Sequence, residues 1–157
     1  KEHFDILVEE TAKNGFVHYE ISNFGKPDCF SKHNTSYWQG KKYIGIGPSA
    51  HSFNKTHRSW NVANNTNYIK SIQEGKLPLE TEKLSKEDQF NEYLMTGLRT
   101  IWGVSLSEIS NEFKDKLLQS SKRFIDQDLL VIENNTLKTT QKGKFLADGL
   151  ASELFII

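Results

Sequence analysis

The sequence is poor in cysteine, in net charge, in methionine and in long apolar runs, and each shortage excludes something. A single cysteine, Cys29, rules out an internal disulfide and leaves a reducing compartment open to the protein. The 20 basic and 20 acidic side chains cancel, so no overall field draws the chain to nucleic acid or anionic lipid, and any polyanion site must be local. No stretch approaches the roughly 20 apolar residues needed to cross a bilayer, and the opening Lys-Glu-His-Phe-Asp lacks the apolar region of a secretory signal. The expected setting is therefore cytoplasmic. The only methionine is Met95, so a natural start at Lys1 is not expected and the sequence reads as a fragment of a longer protein. Its 157 residues suit one sizeable core or two small ones, given domains of roughly 100 to 150 residues.

What is present is concentrated between Tyr19 and Ser52. Residues 3–14 carry Phe4, Ile6, Leu7, Val8 and Ala12 at helical spacing, with Gly15 as the stop. Residues 16–21 are β-rich and set Phe16, His18 and Glu20 on one face, Val17, Tyr19 and Ile21 on the other. An irregular loop is expected over 22–31 and a second strand over 41–47. Residues 64–73 read as a helix closed by Gly75, and the polar stretch around Pro78 reads as a linker. The boundary falls between Gly75 and Ser85, dividing the chain into residues 1–78 and 84–157.

The second part opens on Ser85-Lys-Glu-Asp, a capping box, and predicts a helix over 86–101 closed by Gly103. A short helix from Ser105 and a third over 115–126 follow. Two short strands around Asn134-Asn135, residues that tolerate positive φ, and a final helix capped by Thr140 complete a winged-helix pattern. Lys114, Lys116, Lys122 and Arg123 are interspersed with Asp115, Asp126 and Asp128, so the third helix has no clean basic stripe and nucleic-acid binding is disfavoured.

Four groups of residues carry chemistry. Gly45-Ile-Gly-Pro-Ser-Ala-His-Ser has two small positions where a ligand can approach main-chain donors, or where two backbones pack closely; it lacks the third glycine of a dinucleotide fingerprint. Cys29, His33, His51 and His57 are metal-ligating types without paired spacing, so no stable zinc site is expected, although one such group suffices as an axial haem ligand. Glu20, Asn34, Tyr37 and Trp38 are suited to a pocket wall, with Tyr37 and Trp38 equally suited to the core face of a short helix. The winged-helix pattern is the fourth, and fits a structural cover as well as a free-standing interaction module.

The words Tyr19-Glu-Ile-Ser-Asn-Phe, Pro27, His33-Asn34, Tyr37-Trp38 and Tyr43-Ile-Gly-Ile-Gly-Pro-Ser-Ala-His-Ser resemble the C-terminal half of the oxygen-independent coproporphyrinogen III oxidase-like proteins. That is a radical S-adenosylmethionine family which includes haem chaperones. The resemblance implies an α+β chain: the closing βα part of an incomplete (β/α) barrel, then a winged-helix-like C-terminal domain. It implies that Asn34, Thr35, Gly45, Gly47, Ala50 and His51 lie at the cofactor end, close to S-adenosylmethionine. His51 and the Tyr37-Trp38 pair resemble the chaperone branch, which implies haem or porphyrin as partner. The family's Cys-x3-Cys-x2-Cys loop, which holds a 4Fe–4S cluster, is missing, so this chain alone is expected to be inactive and to supply pocket wall and cover. Apolar strand faces left without the rest of the barrel imply self-association of the isolated chain.

Overall fold

The computed structural model describes residues 1–157. In chain order its first elements are α1 (Glu2–Lys13), β1 (Val17–Glu20), β2 (Asn23–Gly25), α2 (Lys32–Trp38), β3 (His51–Phe53), β4 (His57–Asn61), α3 (Asn65–Gln73) and β5 (Leu79–Lys83). There follow α4 (Lys86–Leu98), β6 (Val104–Ser105), α5 (Asn111–Asp126), β7 (Leu130–Glu133), β8 (Thr136–Thr139), α6 (Gln141–Lys144) and α7 (Ala147–Glu153). The class is α+β, and every strand pairing is antiparallel. No helix is long and apolar enough to cross a membrane. By packing, the chain forms two units: Lys1–Gln39 with Phe90–Ile157, and Gly40–Gln89.

In the first unit, α1 ends as its sequence predicts, with Gly15 at φ +76. No residue of α1 is fully buried, and Ile6 and Leu7 stay about half exposed. The stretch 22–31, expected to be an irregular loop, contains β2, which folds back on β1. Aromatic packing that a turn-rich composition conceals accounts for it. Tyr19 stacks on Phe30 at 4.4 Å, and a Cβ on Gly25 would lie 2.9 Å from the Phe30 ring, so only glycine lets the strand close.

The core of this unit is built from its C-terminal segment, around Leu94, Leu98, Val104, Leu117, Leu130 and Leu137. The capping box forms as read: the Asp88 amide donates to Ser85 Oγ and the Ser85 amide to Asp88 Oδ2, each at 3.0 Å. The helix then stops at Leu98 rather than running to Ile101, because the backbone beyond it pairs with β1. The Ile21 amide donates to the Arg99 carbonyl and the Ile101 amide to the Tyr19 carbonyl. The short helix expected from Ser105 is instead β6 followed by turns, since Val104 and Ser105 pair with Leu137 and Thr136.

The hairpin of β7 and β8 turns on Asn134 and Asn135 at φ 47 and 59, the geometry those residues tolerate. The final helix is two, α6 and α7, broken at Phe145 and Leu146. Gly143 lies so close to β7's approach that a Cβ would sit 1.9 Å from the Leu129 carbonyl oxygen. Thr140 caps α6, accepting from the Gly143 amide at 3.0 Å and donating to the Asp128 carbonyl at 2.7 Å. Thr140→Ala is expected to cost about 1 kcal/mol, read as a lowered urea midpoint with an unchanged m-value.

In the second unit, the expected strand over 41–47 is not formed; the segment makes a single bridge, Tyr43 to Phe53. The sheet lies downstream, in the order β3-β4-β5. Its β5 comes from the stretch around Pro78 that reads as a linker. Glu80, Glu82 and Lys83 make β5 look like solvated coil, but pairing with β4 over His57 to Asn61 fixes it as a strand with a charged edge. Helix α3 starts as its sequence predicts, with Asn64 Oδ1 accepting from the Asn67 amide at 2.9 Å.

Candidate functional site

Glu20, expected as a pocket-wall residue, is fully buried and serves as a clamp. Its Oε1 accepts from Arg99 Nε at 3.1 Å and Nη2 at 3.0 Å. Oε2 accepts from the Ser22 amide at 3.0 Å and from Asn23 Nδ2. Arg99 continues the network to Asp148 at 2.6 Å and lies 5.0 Å over the Trp38 ring. One guanidinium therefore ties β1, α2 and α7 together. Sequence reasoning missed Arg99, and local spacing held no sign of it: its carboxylate partner lies 79 residues away.

Helix α2 begins at Ser31, whose Oγ accepts from the Asn34 amide at 3.3 Å. The side chain of Asn34 is exposed, while Thr35 and Trp38, one turn apart, turn inward. Thr35 Oγ1 and Trp38 Nε1 are buried and have no hydrogen-bond partner. Such orphaned donors are uncommon in folded proteins and call for a ligand or water. His33 and Tyr37, on the opposite flank, are exposed and meet edge to face at 4.9 Å.

In the second unit the structure brings Gly45, Gly47, Ala50 and His51 together. A Cβ on Gly45 would sit 2.2 Å from the His51 carbonyl oxygen, so this glycine serves close backbone packing. The Gly45 amide donates to Ser52 Oγ at 3.0 Å and the Gly47 amide to Tyr68 Oη at 3.2 Å. Asn61 Nδ2 donates to the Gly47 carbonyl at 2.9 Å, and the Asn61 amide to the Ala50 carbonyl at 3.0 Å. Of the two readings of this segment, ligand approach or close backbone packing, the geometry at Gly45 fits the second, and the Gly45 and Gly47 amides are already engaged. Ser49 holds φ +59, a left-handed conformation that costs a serine about 1 kcal/mol or more. The strain sits directly before Ala50 and His51. His51 is exposed at the start of β3, its ring 6.3 Å from Trp60.

The six candidate residues are thus divided: Asn34 and Thr35 belong to the first unit and the other four to the second. A cleft of about 650 Å³ on the second unit is lined by Tyr43, Ile44, Phe53 and His57 and by none of the six. Cys29 and His33 lie in one unit, His51 and His57 in the other, and no group of three or more His, Cys, Asp or Glu is placed to hold a metal ion.

One buried titratable group stands apart. His18 is 8 % exposed, stacked on Phe24 at 4.3 Å, and its Nε2 lies 2.9 Å from the Ile21 carbonyl. Burial holds its imidazole below the ordinary value of 6.5; the Ile21 contact and the Glu20 charge oppose this and the Lys144 charge adds to it. Lys144 donates to the His18 carbonyl at 2.8 Å and is itself held low by burial. Well above pH 6.5 the imidazole is neutral whether the chain is folded or not, and its contribution to stability is complete. Below it the unfolded chain takes up a proton that the folded chain resists, so stability falls as pH falls. Urea melts between pH 7.5 and 5 are expected to show that loss, and His18→Phe, which keeps the ring stack, to flatten it.

Residues 84–146 match the HemN C-terminal domain. Over 98% of its length the chain is 33% identical to the haem chaperone HemW of Lactococcus lactis, of which it covers 41%. It is 32% identical to the Bacillus subtilis haem chaperone HemW over 94% of the chain and 40% of that protein. It is also 33% identical to the mitochondrial radical S-adenosyl methionine domain-containing protein 1 of Dictyostelium discoideum, over 96% of the chain and 40% of that protein. Among solved structures it resembles the radical SAM enzyme coproporphyrinogen III oxidase (HemN) of Escherichia coli, with a TM-score of 0.71 over 96% of the chain and 39% of that structure. At 16% identity that likeness speaks for the fold alone. The chain spans about two-fifths of the length of the curated relatives it matches. Because the likeness runs through the first 80 or so residues as well as the last, a free-standing interaction module is not favoured. The chain thus carries the HemN C-terminal domain over residues 84–146, is similar along nearly its whole length to proteins named haem chaperone HemW, and corresponds to the C-terminal part of those proteins.

Proposed function

We propose that this chain is the C-terminal part of a cytoplasmic radical S-adenosylmethionine protein of porphyrin metabolism, acting as a haem chaperone. The likeness to two bacterial haem chaperones over nearly the whole chain carries this reading. Residues 1–78 would close an incomplete (β/α) barrel, and residues 84–157 would form a winged-helix-like cover. The hairpin of β7 and β8 after α5 supports the second assignment.

The residues present test the implied cofactors unequally. A 4Fe–4S cluster of this family needs three thiolates, and the chain has one cysteine, Cys29, so it does not fit as a holder of the cluster. Cluster ligation would belong to the preceding part of the parent. S-adenosylmethionine is better matched, because Thr35 Oγ1 is a buried polar atom in want of a partner. Asn34, Thr35, Ala50 and His51 would contact it, with Gly45 and Gly47 fixing the backbone on which Ala50 and His51 sit. When bound, cofactor and cluster would supply the family's one-electron chemistry; this chain's residues bind and orient.

Haem titration of the protein carrying its natural upstream sequence tests the reading. A Soret band that saturates near one equivalent, and weakens in His51→Ala, is expected. No saturable Soret change in the folded parent would contradict haem binding.

A further inference from the structure

By residue type Cys29, His33, His51 and His57 are equal candidates for an axial haem ligand, and the structure separates them. Cys29, His33 and His51 are exposed, whereas His57 is half-buried in the wall of the 650 Å³ cleft on the second unit. Strand alternation sets which side chains share that face. Ser52 lies opposite Ser59, and His57 is two residues before Ser59, so the three point the same way; His51, opposite Trp60, turns to the other face. The ring's tautomer is fixed by its neighbours. Asn54 Oδ1 accepts from the Thr56 amide at 3.1 Å and the His57 amide at 2.8 Å, which identifies that atom as the oxygen. It also accepts from Thr56 Oγ1 at 3.1 Å, and a threonine has one hydroxyl proton to give. Thr56 Oγ1 therefore accepts from His57 Nδ1, 3.0 Å away. With the proton on Nδ1, Nε2 keeps its lone pair, the arrangement in which a hydrogen bond at one ring nitrogen prepares the other to ligate a metal.

A bare metal ion does not suit this site, because it needs several protein ligands and no group of three or more His, Cys, Asp or Glu is placed to supply them. A metal that brings its own chelate needs only one. The cleft also has the size of a small-molecule site, which runs to roughly 300 to 1,000 Å³. Its wall adds an apolar side chain, Ile44, 85% exposed, and an ammonium, Lys42. Resting on the haem chaperone reading, we infer that this cleft seats haem, with His57 Nε2 as axial ligand, Ile44 against the macrocycle and Lys42 toward its carboxylates.

Haem titration of the protein carrying its natural upstream sequence, with electron paramagnetic resonance of the ferric complex, tests this. The wild-type protein is expected to show an imidazole-ligated spectrum, His57→Ala to lose it, and added imidazole to restore it, as it would not in a misfolded variant. Thr56→Val removes the acceptor that orients the ring and should weaken haem binding about 10-fold. His51→Ala should weaken the Soret band, as the functional reading expects, without changing the ligation. An unchanged ligation spectrum in His57→Ala, or its loss in His33→Ala or Cys29→Ala instead, would overturn the inference and leave the chaperone reading standing. No saturable haem binding by the wild-type protein would defeat that reading, and the inference with it.

Discussion

Glu20→Ala is expected to lower the folding stability of this chain by about 3 kcal/mol, the low end for breaking a buried ion pair by removing one partner. The carboxylate is fully buried, whereas Arg99 keeps a fifth of its side chain in water, which moderates the loss. Truncation leaves the Ser22 amide and Asn23 amide group without their acceptor and Arg99 with Asp148 alone. With total stabilities of about 5 to 15 kcal/mol, that is a large fraction. Glu20→Gln keeps an acceptor for Ser22 and removes the charge, so it should fall between wild type and alanine. Urea melts give the ranking, and near-ultraviolet dichroism should change as Arg99 loosens over Trp38. An alanine variant within 0.5 kcal/mol of wild type, the range of ordinary surface substitutions at about that size, would mean that Glu20 is no clamp.

Gly45→Ala should be comparably severe, and confined to the Gly40–Gln89 unit. The new methyl would sit 2.2 Å from the His51 carbonyl oxygen and 2.8 Å from the Ala50 carbonyl carbon, both backbone atoms that cannot swing aside. The segment must lift from β3, breaking the Tyr43 to Phe53 pair and the bond to Ser52 Oγ. Overpacking of this kind costs about 3 kcal/mol. Hydrogen exchange should show Tyr43 and Phe53 amides losing protection while α5 keeps its own. Gly47 is a contrast: nothing lies within 4 Å of its would-be Cβ, but its φ of +106 penalises any side chain conformationally. Retained protection at Tyr43 and Phe53 in Gly45→Ala would contradict the packing account.

Much of the C-terminal segment was legible because its signals are local. The Ser85 capping box, the Asn134-Asn135 turn and the Thr140 cap each need only neighbours in sequence, and each appears as read. What failed depended on distant partners. The early end of α4, the β6 strand at Val104 and the β5 strand among charges all arise from pairing with chain far away. The site divides in the same way. Its residue words were readable, and so was the family they resemble. The engaged glycine amides, the clamp role of Glu20 and the hub at Arg99 were not, because composition does not say whose atoms a buried donor will meet.

The central claim is that this chain is the C-terminal part of a radical S-adenosylmethionine protein, and the coding sequence upstream of the Lys1 codon tests it most directly. The account predicts an open frame carrying an in-frame Cys-x3-Cys-x2-Cys loop. A start codon beside Lys1, with no such loop in frame before it, would contradict that claim.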